Sequence, residues 1–135
     1  MINDVKQAIA DKLKALYPAS TIYAEDVPQD FKTPSFMLSL IDQNYNKLLL
    51  NKFSSLMSFE VAFFSDKEET DMKEDCHIIQ MMLFRGFDLV GGYRIQNKHA
   101  TIVDNVLHFT FDVRVSEINM DTVIKMQKQQ TNTNI

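Results

Sequence analysis

The sequence predicts an α+β fold, in which a mostly antiparallel β-sheet packs against two helices in the order helix, strands, helix, strands. Apolar residues recur every three or four positions in two separate stretches and alternate in the stretches that follow each of them. The chain has 135 residues, of which 45% are hydrophobic and 24% charged, and this fits one domain. We expect residues 1–118 to form that domain and residues 119–135 to be a polar, flexible tail.

The first half of the chain predicts one helix and then strands. Asn3 is a suitable N-cap, and Pro18 ends the helix. Residues 21–25 predict a short strand, and a second strand begins at Ser35 and is apolar on both sides, as in the interior of a sheet. The helix places four apolar residues on one face, which are Val5, Ile9, Leu13 and Leu16.

Beyond this second strand the pattern stays extended. The polar residues 42–46 predict a turn, and residues 47–64 predict either one long, bulged strand or two strands broken at Ser54 and Ser55. A second helix is expected to begin near Ser65 or Asp66, where acidic residues three positions later satisfy the spacing of a capping box. Its apolar face is expected to be wide and to cover the sheet, with these members: Met72, Cys76, Ile79 and Leu83, flanked by Ile78, Met81 and Met82.

The last part of the predicted domain returns to strands. Gly86 is expected to end the second helix, and Gly91 and Gly92 to form a turn. Short strands at 93–97 and 101–103, separated by a turn at 98–100, lead to a further turn at 104–105. The final strand alternates strictly, and its apolar side consists of Leu107, Phe109, Phe111, Val113 and Val115.

Charge and targeting patterns exclude several classes of function. The 14 Lys and Arg residues are outnumbered by 18 Asp and Glu residues, and the net charge of -4 disfavours nucleic-acid binding by bulk electrostatics. The sequence predicts no signal peptide, transit peptide or membrane span. The lone Cys76 cannot form an internal disulfide and is compatible with a reducing compartment. We therefore expect a soluble domain made in the cytoplasm.

Residues that could carry chemistry do not form a recognisable catalytic or metal-binding pattern. Cys76 and His77 are adjacent, but neighbouring residues of a helix point about 100° apart, so the imidazole is not expected to meet the thiol. The three histidines lie on different elements, and the acidic run at 66–75 lacks the ligand order of a calcium loop. We predict no catalytic, cofactor-binding or metal-binding residue, so the chain is not expected to be an enzyme or to need a cofactor.

Leu48, Leu49 and Leu50 predict a contact surface. Because they are consecutive, at least one must face away from a core on one side of a strand. Either the protomer covers both faces or the segment meets another subunit. Phe64 faces opposite to Phe63, so either the protomer covers it or it also meets another subunit. The eight methionines mostly fit core positions, although those of the polar tail could line an adaptable protein contact.

Three segments together resemble a known family. They are the first helix ending in LYP, the stretch IYAEDVPQDFKTPSFMLSLI, and the strand FEVAFFS that leads into an acidic helix start. In this order they resemble small phage tail terminator proteins, also called tail completion proteins, of Gram-positive phages and prophages. The resemblance covers residues 2–118 in element order and is sequence-specific at 22–36 and 59–65. The Gln- and Asn-rich residues after Ile118 are not matched.

The resemblance implies a structural virion assembly protein with no enzymatic role. Such a protein is a subunit of a homo-oligomeric ring, typically a hexamer, that caps the tail tube, stops its polymerisation and joins the head connector. Implied partners are further copies of the chain, the tail-tube protein and the head-tail connector protein, with DNA only passing through the channel and no membrane contact. Its place is the virion tail, assembled in the cytoplasm of the bacterial host.

A ring requires two different contact surfaces on each protomer. The expected interface residues lie in the 45–53 segment, at Phe64 and in the tail, and are Tyr45, Leu48, Leu50, Phe53, Phe64, Met120, Val123 and Ile124. The alternatives are another head-tail connector or tail component, such as a stopper or a tube-like subunit, and a small enzyme that uses Cys76 and His77.

Overall fold

The computed structural model describes residues 2–118, which form two helices and one mixed six-stranded sheet. The strand order across the sheet is β1-β2-β3-β6-β5-β4. All neighbouring pairs are antiparallel except β1 and β2, which are parallel. The predicted fold class is therefore confirmed. The elements in chain order are α1 (Ile2–Leu16), β1 (Thr21–Ala24), β2 (Ser35–Lys47), β3 (Lys52–Phe64), α2 (Glu69–Gly86), β4 (Leu89–Val90), β5 (Tyr93–Val103) and β6 (Val106–Ile118).

Helix α1 follows the predicted apolar spacing, with Val5, Ile9 and Leu13 buried. The expected N-cap is wrong, because Ile2 is already helical and packs against the core, so that Asn3 lies inside the first turn. Past the helix end, the Ser20 hydroxyl donates to the Tyr17 carbonyl at 2.7 Å and so fixes the turn into β1.

Strands β2 and β3 form a long hairpin, so residues 47–64 are not one long strand, and two further predictions fail here. Residues 42–46 are not a turn, because β2 continues to Lys47 and the chain reverses only at 48–51. Ser54 and Ser55 do not break β3, which is continuous and pairs with β6 through both residues. The register shift of this hairpin lies in β2, between Leu40 and Asp42.

Cross-strand hydrogen bonds explain why the polar stretch of β2 remains extended. The Gln43 side-chain amide donates to the Ser55 hydroxyl at 3.0 Å, and this hydroxyl donates to the Asn44 carbonyl at 2.6 Å. The Leu56 amide donates to the Asn44 side-chain oxygen at 2.9 Å. These side chains are satisfied by the neighbouring strand, so their polarity does not require a turn.

Helix α2 begins later than predicted. Its first residue is Glu69, and the N-cap Glu68 makes no side-chain capping bond, so the capping box at Ser65 or Asp66 is wrong. The Ser65 hydroxyl instead donates to Asp75 Oδ2 at 2.6 Å and accepts from the Lys67 amide at 3.1 Å. Ser65 therefore anchors the segment before the helix to the second turn of the helix itself.

The end of α2 at Gly86 is confirmed. A Cβ at this position would lie 2.8 Å from Leu16 Cδ1, so the glycine allows the C-terminal ends of the two helices to approach. Gly91 and Gly92 form the expected turn between β4 and β5. The turn expected at 98–100 is wrong, because β5 runs unbroken through it and only shifts register between Gln96 and His99.

Both helices contribute to a core on one face of the sheet. The alternation predicted for the last strand is confirmed, because β6 buries Leu107, Phe109, Phe111, Val113 and Val115 on that face. Strand β3 adds Met57, Phe59, Val61 and Phe63 beside them. The rings of Phe87, Phe109 and Phe111 meet at centroid distances of 5.3 to 5.7 Å in this core.

The sheet narrows to three strands at one end. Strand β1 pairs only with Ser35–Leu38 of β2, and the pairing of β5 with β6 reaches only to Val113. We call residues 44–56 together with 114–118 the arm, since here β2, β3 and β6 continue without β1 or β5 paired in the same rows of the sheet.

Candidate interaction surfaces

The tip of the arm carries an aromatic pair on the same face of the sheet as the core. The rings of Tyr45 and Phe53 are stacked, with centroids 5.2 Å apart and an interplanar angle of 17°. Phe53 lies opposite Glu117 in the ladder, and the Tyr45 hydroxyl donates to the Glu117 carboxylate. This hydrogen bond raises the pKa of Tyr45 above its ordinary value. Two of the expected interface residues are thus brought together and oriented by β6.

Three consecutive leucines form the turn of the hairpin and are exposed. The turn is closed by the Leu48 amide, which donates to the Lys52 carbonyl at 2.8 Å. Leu49 is 80% exposed and Leu50 is 67% exposed. We call Tyr45, Leu48, Leu49, Leu50 and Phe53 the tip patch. Sequence reasoning omitted Leu49 because it assumed a strand here, in which alternate residues face opposite ways.

Leu50 has a backbone conformation that leucine rarely adopts. Its φ is 60°, in the left-handed region where Gly and Asn are usual. The conformation closes the turn, in which the Lys52 amide donates to the Leu49 carbonyl at 3.3 Å, but Gly or Asn would adopt it at lower cost and the exposed leucine side chain gains little packing from it.

Phe64 lies away from the tip patch. It ends β3 at the opposite end from Lys52, and its ring packs against Phe31 with centroids 5.0 Å apart. The loop that precedes β2 therefore shields part of this side chain. Its role in an interface stays a prediction. Met120, Val123 and Ile124 lie outside the described residues.

A second exposed apolar surface lies on α2. Ile78 is 61% exposed and Met81 is 43% exposed. The expectation that they belong to the sheet-covering face is wrong, because each lies about 200° around the helix from a buried residue two positions earlier, Cys76 or Ile79. They line a shallow groove of about 530 Å³ with Leu16, Met82, Arg85 and Gly86, which we call the α2 groove.

The side chains of Cys76 and His77 lie on different faces of α2, as expected. Cys76 is fully buried and its thiol lies 3.5 Å from the Asn105 carbonyl, whereas His77 is exposed. Burial raises the pKa of the Cys76 thiol, and the nearby Asp75 carboxylate raises it further. A buried thiol with a raised pKa is a poor nucleophile, and the hydrogen-bond partner of this thiol is a backbone carbonyl rather than an imidazole.

A second concavity of about 330 Å³ lies between α1 and β1–β2 and is lined by Asn3, Lys6, Gln7, Ala10, Ala24 and Leu38. Lys6 forms an ion pair with Glu25 beside it. Among residues 2–118, no three His, Cys, Asp or Glu side chains are grouped so that they could hold a metal ion. Neither α1 nor α2 is long and apolar enough to cross a membrane.

Comparison with known proteins gives one match that bears on function. A family model described as phage tail terminator protein matches residues 4–125. One solved structure is similar over 87% of this chain and 93% of its own, at 12% identity and a TM-score of 0.39. No curated protein matches the sequence.

Proposed function

This chain belongs to the phage tail terminator family, and from that premise we propose that it is a ring-forming subunit that caps the tail tube. In this role it stops polymerisation of the tube and provides the surface to which the head connector joins. Its partners are further copies of itself, the tail-tube protein and the head-tail connector protein. The ring we propose is a hexamer in the virion tail, assembled in the host cytoplasm.

The tip patch is the observation that supports this proposal most strongly. It concentrates exposed apolar side chains at the end of a three-stranded arm that extends past the rest of the sheet. Exposed apolar groups clustered in this way mark contacts with other proteins. Leu50 adds a second argument, because an unfavourable backbone conformation at an exposed leucine is retained where another molecule uses the side chain.

The charge of the chain is compatible with a ring around a DNA channel. The formal net charge is -4, so the protein as a whole does not attract phosphate groups. Passage of DNA requires weak contact with the channel wall, and tight phosphate binding would oppose it. DNA is accordingly a transient occupant of the channel in this proposal.

A stopper or tube-like subunit is the second candidate function, and the free edge of β5 favours it. Strand β4 pairs only with Tyr93 and Arg94, so in the described part of the chain the outer edge of β5 has no strand beside it from Gln96 onwards. Subunits of this kind can assemble by adding a strand to such an edge. The first candidate differs in using the hairpin tip for subunit contacts.

Light scattering during growth of tail tubes tests the capping function. Purified tail-tube protein is allowed to polymerise with and without the full chain, and we expect the chain to halt the rise in scattering at substoichiometric amounts. A folded double variant, Leu48→Ser with Leu50→Asn, is expected to lose this effect. The matched control is Leu89→Ser with Val103→Ser, which changes two exposed apolar residues outside the tip patch. Undiminished tube growth with the wild-type chain would overturn the proposal.

A further inference from the structure

We propose that the α2 groove is the second subunit contact, and that its occupant is the tip patch of another copy of this chain. This inference rests on the proposed ring function and assigns the surface that completes it. The tip patch and the α2 groove are different surfaces of one protomer, so their contact is heterologous. Heterologous contacts of one kind, repeated from copy to copy, generate a closed ring when the rotation between neighbours closes.

The two surfaces match in character. The tip patch is convex and apolar, with Leu48, Leu49 and Leu50 exposed at the end of a hairpin. The α2 groove is concave, and its exposed members include Ile78 and Met81. Methionine is unbranched and flexible, so Met81 and Met82 can adapt to the shape of an inserted side chain. Insertion of the leucines would remove apolar area from water on both protomers.

The charges beside the two surfaces are opposite at the acidic end of the α2 groove, whereas Arg85 lies at its other end. Lys47 and Lys52 flank the leucines at the tip, and both are exposed. On α2, Asp71 and Glu74 precede Ile78 and Met81 at spacings of three and four, so the four residues share one helix face. Asp71 and Glu74 are exposed as well. Complementary charge around an apolar contact speeds association and fixes its orientation.

A protomer cannot bring its own tip lysines to the acidic start of its own α2. Strand β3 spans 13 residues from Lys52 to Phe64, and the acidic start of α2 follows its far end. At about 3.4 Å per residue, β3 separates its two ends by about 40 Å. The lysines of the tip and the acidic turn of α2 on the same chain therefore lie at opposite ends of the sheet. Only a second copy can bring them together.

Site-specific cross-linking tests the contact directly. The single variants Leu49→Cys and Ile78→Cys are mixed as full chains, with and without tail tubes, and oxidised. Both variants also contain the native Cys76, which is buried and is therefore not expected to form cross-links. We expect a disulfide-linked heterodimer from this mixture, and at least tenfold less product when Val103→Cys, also exposed, replaces Ile78→Cys. A double variant carrying both cysteines is expected to give a ladder that ends in a closed ring.

The outcomes separate this inference from the proposed function. If the wild-type chain caps tubes but Leu49→Cys does not link to Ile78→Cys under either condition, the α2 groove is not the second contact, whereas the capping function stands. If the link forms but tubes continue to grow, the contact stands and the capping function fails. Linkage of Ile78→Cys to the tail-tube protein instead would overturn the assignment of a second copy as the occupant.

Charge reversal provides an independent test of the same contact. The variant Lys47→Glu with Lys52→Glu is expected to weaken cross-linking about tenfold. Combining it with a partner chain that carries Asp71→Lys and Glu74→Lys is expected to restore the yield. The control reverses Lys32 and Arg94, which are exposed and outside both surfaces. Equal loss in the control, or no recovery in the compensated pair, would overturn the proposed pairing.

Discussion

At the residue scale, two side chains have environments that point in opposite functional directions. Leu50 is exposed in a left-handed conformation that is unfavourable for leucine, and its side chain gains little packing in the protomer. Cys76 is buried, and its thiol has a raised pKa. The first favours a contact with another molecule, and the second opposes nucleophilic chemistry.

Replacing Leu50 with Asn is expected to separate stability from assembly. Asn tolerates φ near 60° better than Leu, so the free energy of unfolding of the monomer should stay unchanged or rise by up to about 1 kcal/mol. Capping of tail tubes should weaken at the same time. Urea unfolding at concentrations where the chain is monomeric, together with the tube-growth assay, measures both effects.

Leu49→Asn is the matched control for this substitution. Leu49 has no left-handed backbone, so its replacement should weaken capping without raising stability. If Leu50→Asn instead lowers the free energy of unfolding by more than about 1 kcal/mol, Leu50 stabilises the protomer, and its value as an assembly marker is lost.

Native Cys76 is expected to resist thiol reagents. The raised pKa lowers the thiolate fraction at neutral pH, and burial blocks access. We expect negligible labelling of the native chain near neutral pH and complete labelling in denaturant, followed by absorbance of the released chromophore. Rapid labelling of the folded protein would revive the hypothesis of an enzyme that uses Cys76 and His77.

The same thiol gives a pH dependence of stability with a defined sign. Because folding raises the pKa of Cys76, the folded state resists ionisation more than the unfolded state, whose thiol ionises near pH ~8.5. The contribution to stability is complete below that pH and is lost as pH rises through the folded pKa. The free energy of unfolding of the wild type should therefore fall relative to Cys76→Val above pH ~8.5, as measured by urea titration. A constant difference would contradict the raised pKa.

At the scale of helices and strands, the sequence predicts an element most accurately where that element buries one face. Helix α1 and strand β6 match their predicted apolar spacing, because burial against one core imposes the period of the element. The extension of β2 through Gln43 and Asn44 was not predictable, since their partners are Ser55 and Leu56 across the hairpin. Likewise, Ser65 resembles an N-cap but bonds to Asp75.

The candidate surfaces were predicted only in part. The run of leucines signalled the tip patch, because no single strand can bury all three. The α2 groove was missed, since Ile78 and Met81 were grouped with the buried stripe of Cys76 and Ile79. Counting 100° per residue around the helix would have separated the two sets, because Ile78 and Met81 each lie on the opposite side of the helix from a buried residue two positions earlier.

Contact between α1 and the β4–β5 turn is expected to depend on Gly91. A Cβ at Gly91 would lie 2.6 Å from the Ala8 Cβ, and the φ of Gly91 is 57°. Gly92 has a φ of 86°, and a Cβ added there would have no neighbouring atom within 4 Å. Gly92→Ala therefore reports only the cost of placing a side chain on a left-handed backbone. We expect Gly92→Ala to lower the free energy of unfolding by about 1 kcal/mol, and Gly91→Ala by a further ~1 to 3 kcal/mol, since α1 must shift.

Thermal unfolding of both glycine variants measures this difference. The two substitutions add the same methyl group to adjacent turn residues, so the gap between their midpoints reports the steric contact with α1. Equal midpoints would show that α1 yields to the added methyl group without loss of packing.

At the scale of the whole molecule, the fold consists of a wide part built around the core and a projecting arm. The helices and the wide part of the sheet enclose the core, and the arm extends away with the tip patch at its end. In the proposed ring, the apolar surfaces at the tip and on α2 give the protomer a direction from one contact to the other. This polarity suits the proposed terminator, in which copies of the chain join around a tube end.

Electron microscopy of tail tubes grown in the presence of the full chain tests the proposed function most directly. We expect short tubes with one ring of additional density at a single end, and long tubes without that density when the chain carries Leu48→Ser with Leu50→Asn. Density distributed along the tube wall, or tubes of unchanged length beside a folded wild-type chain, would contradict a terminator role.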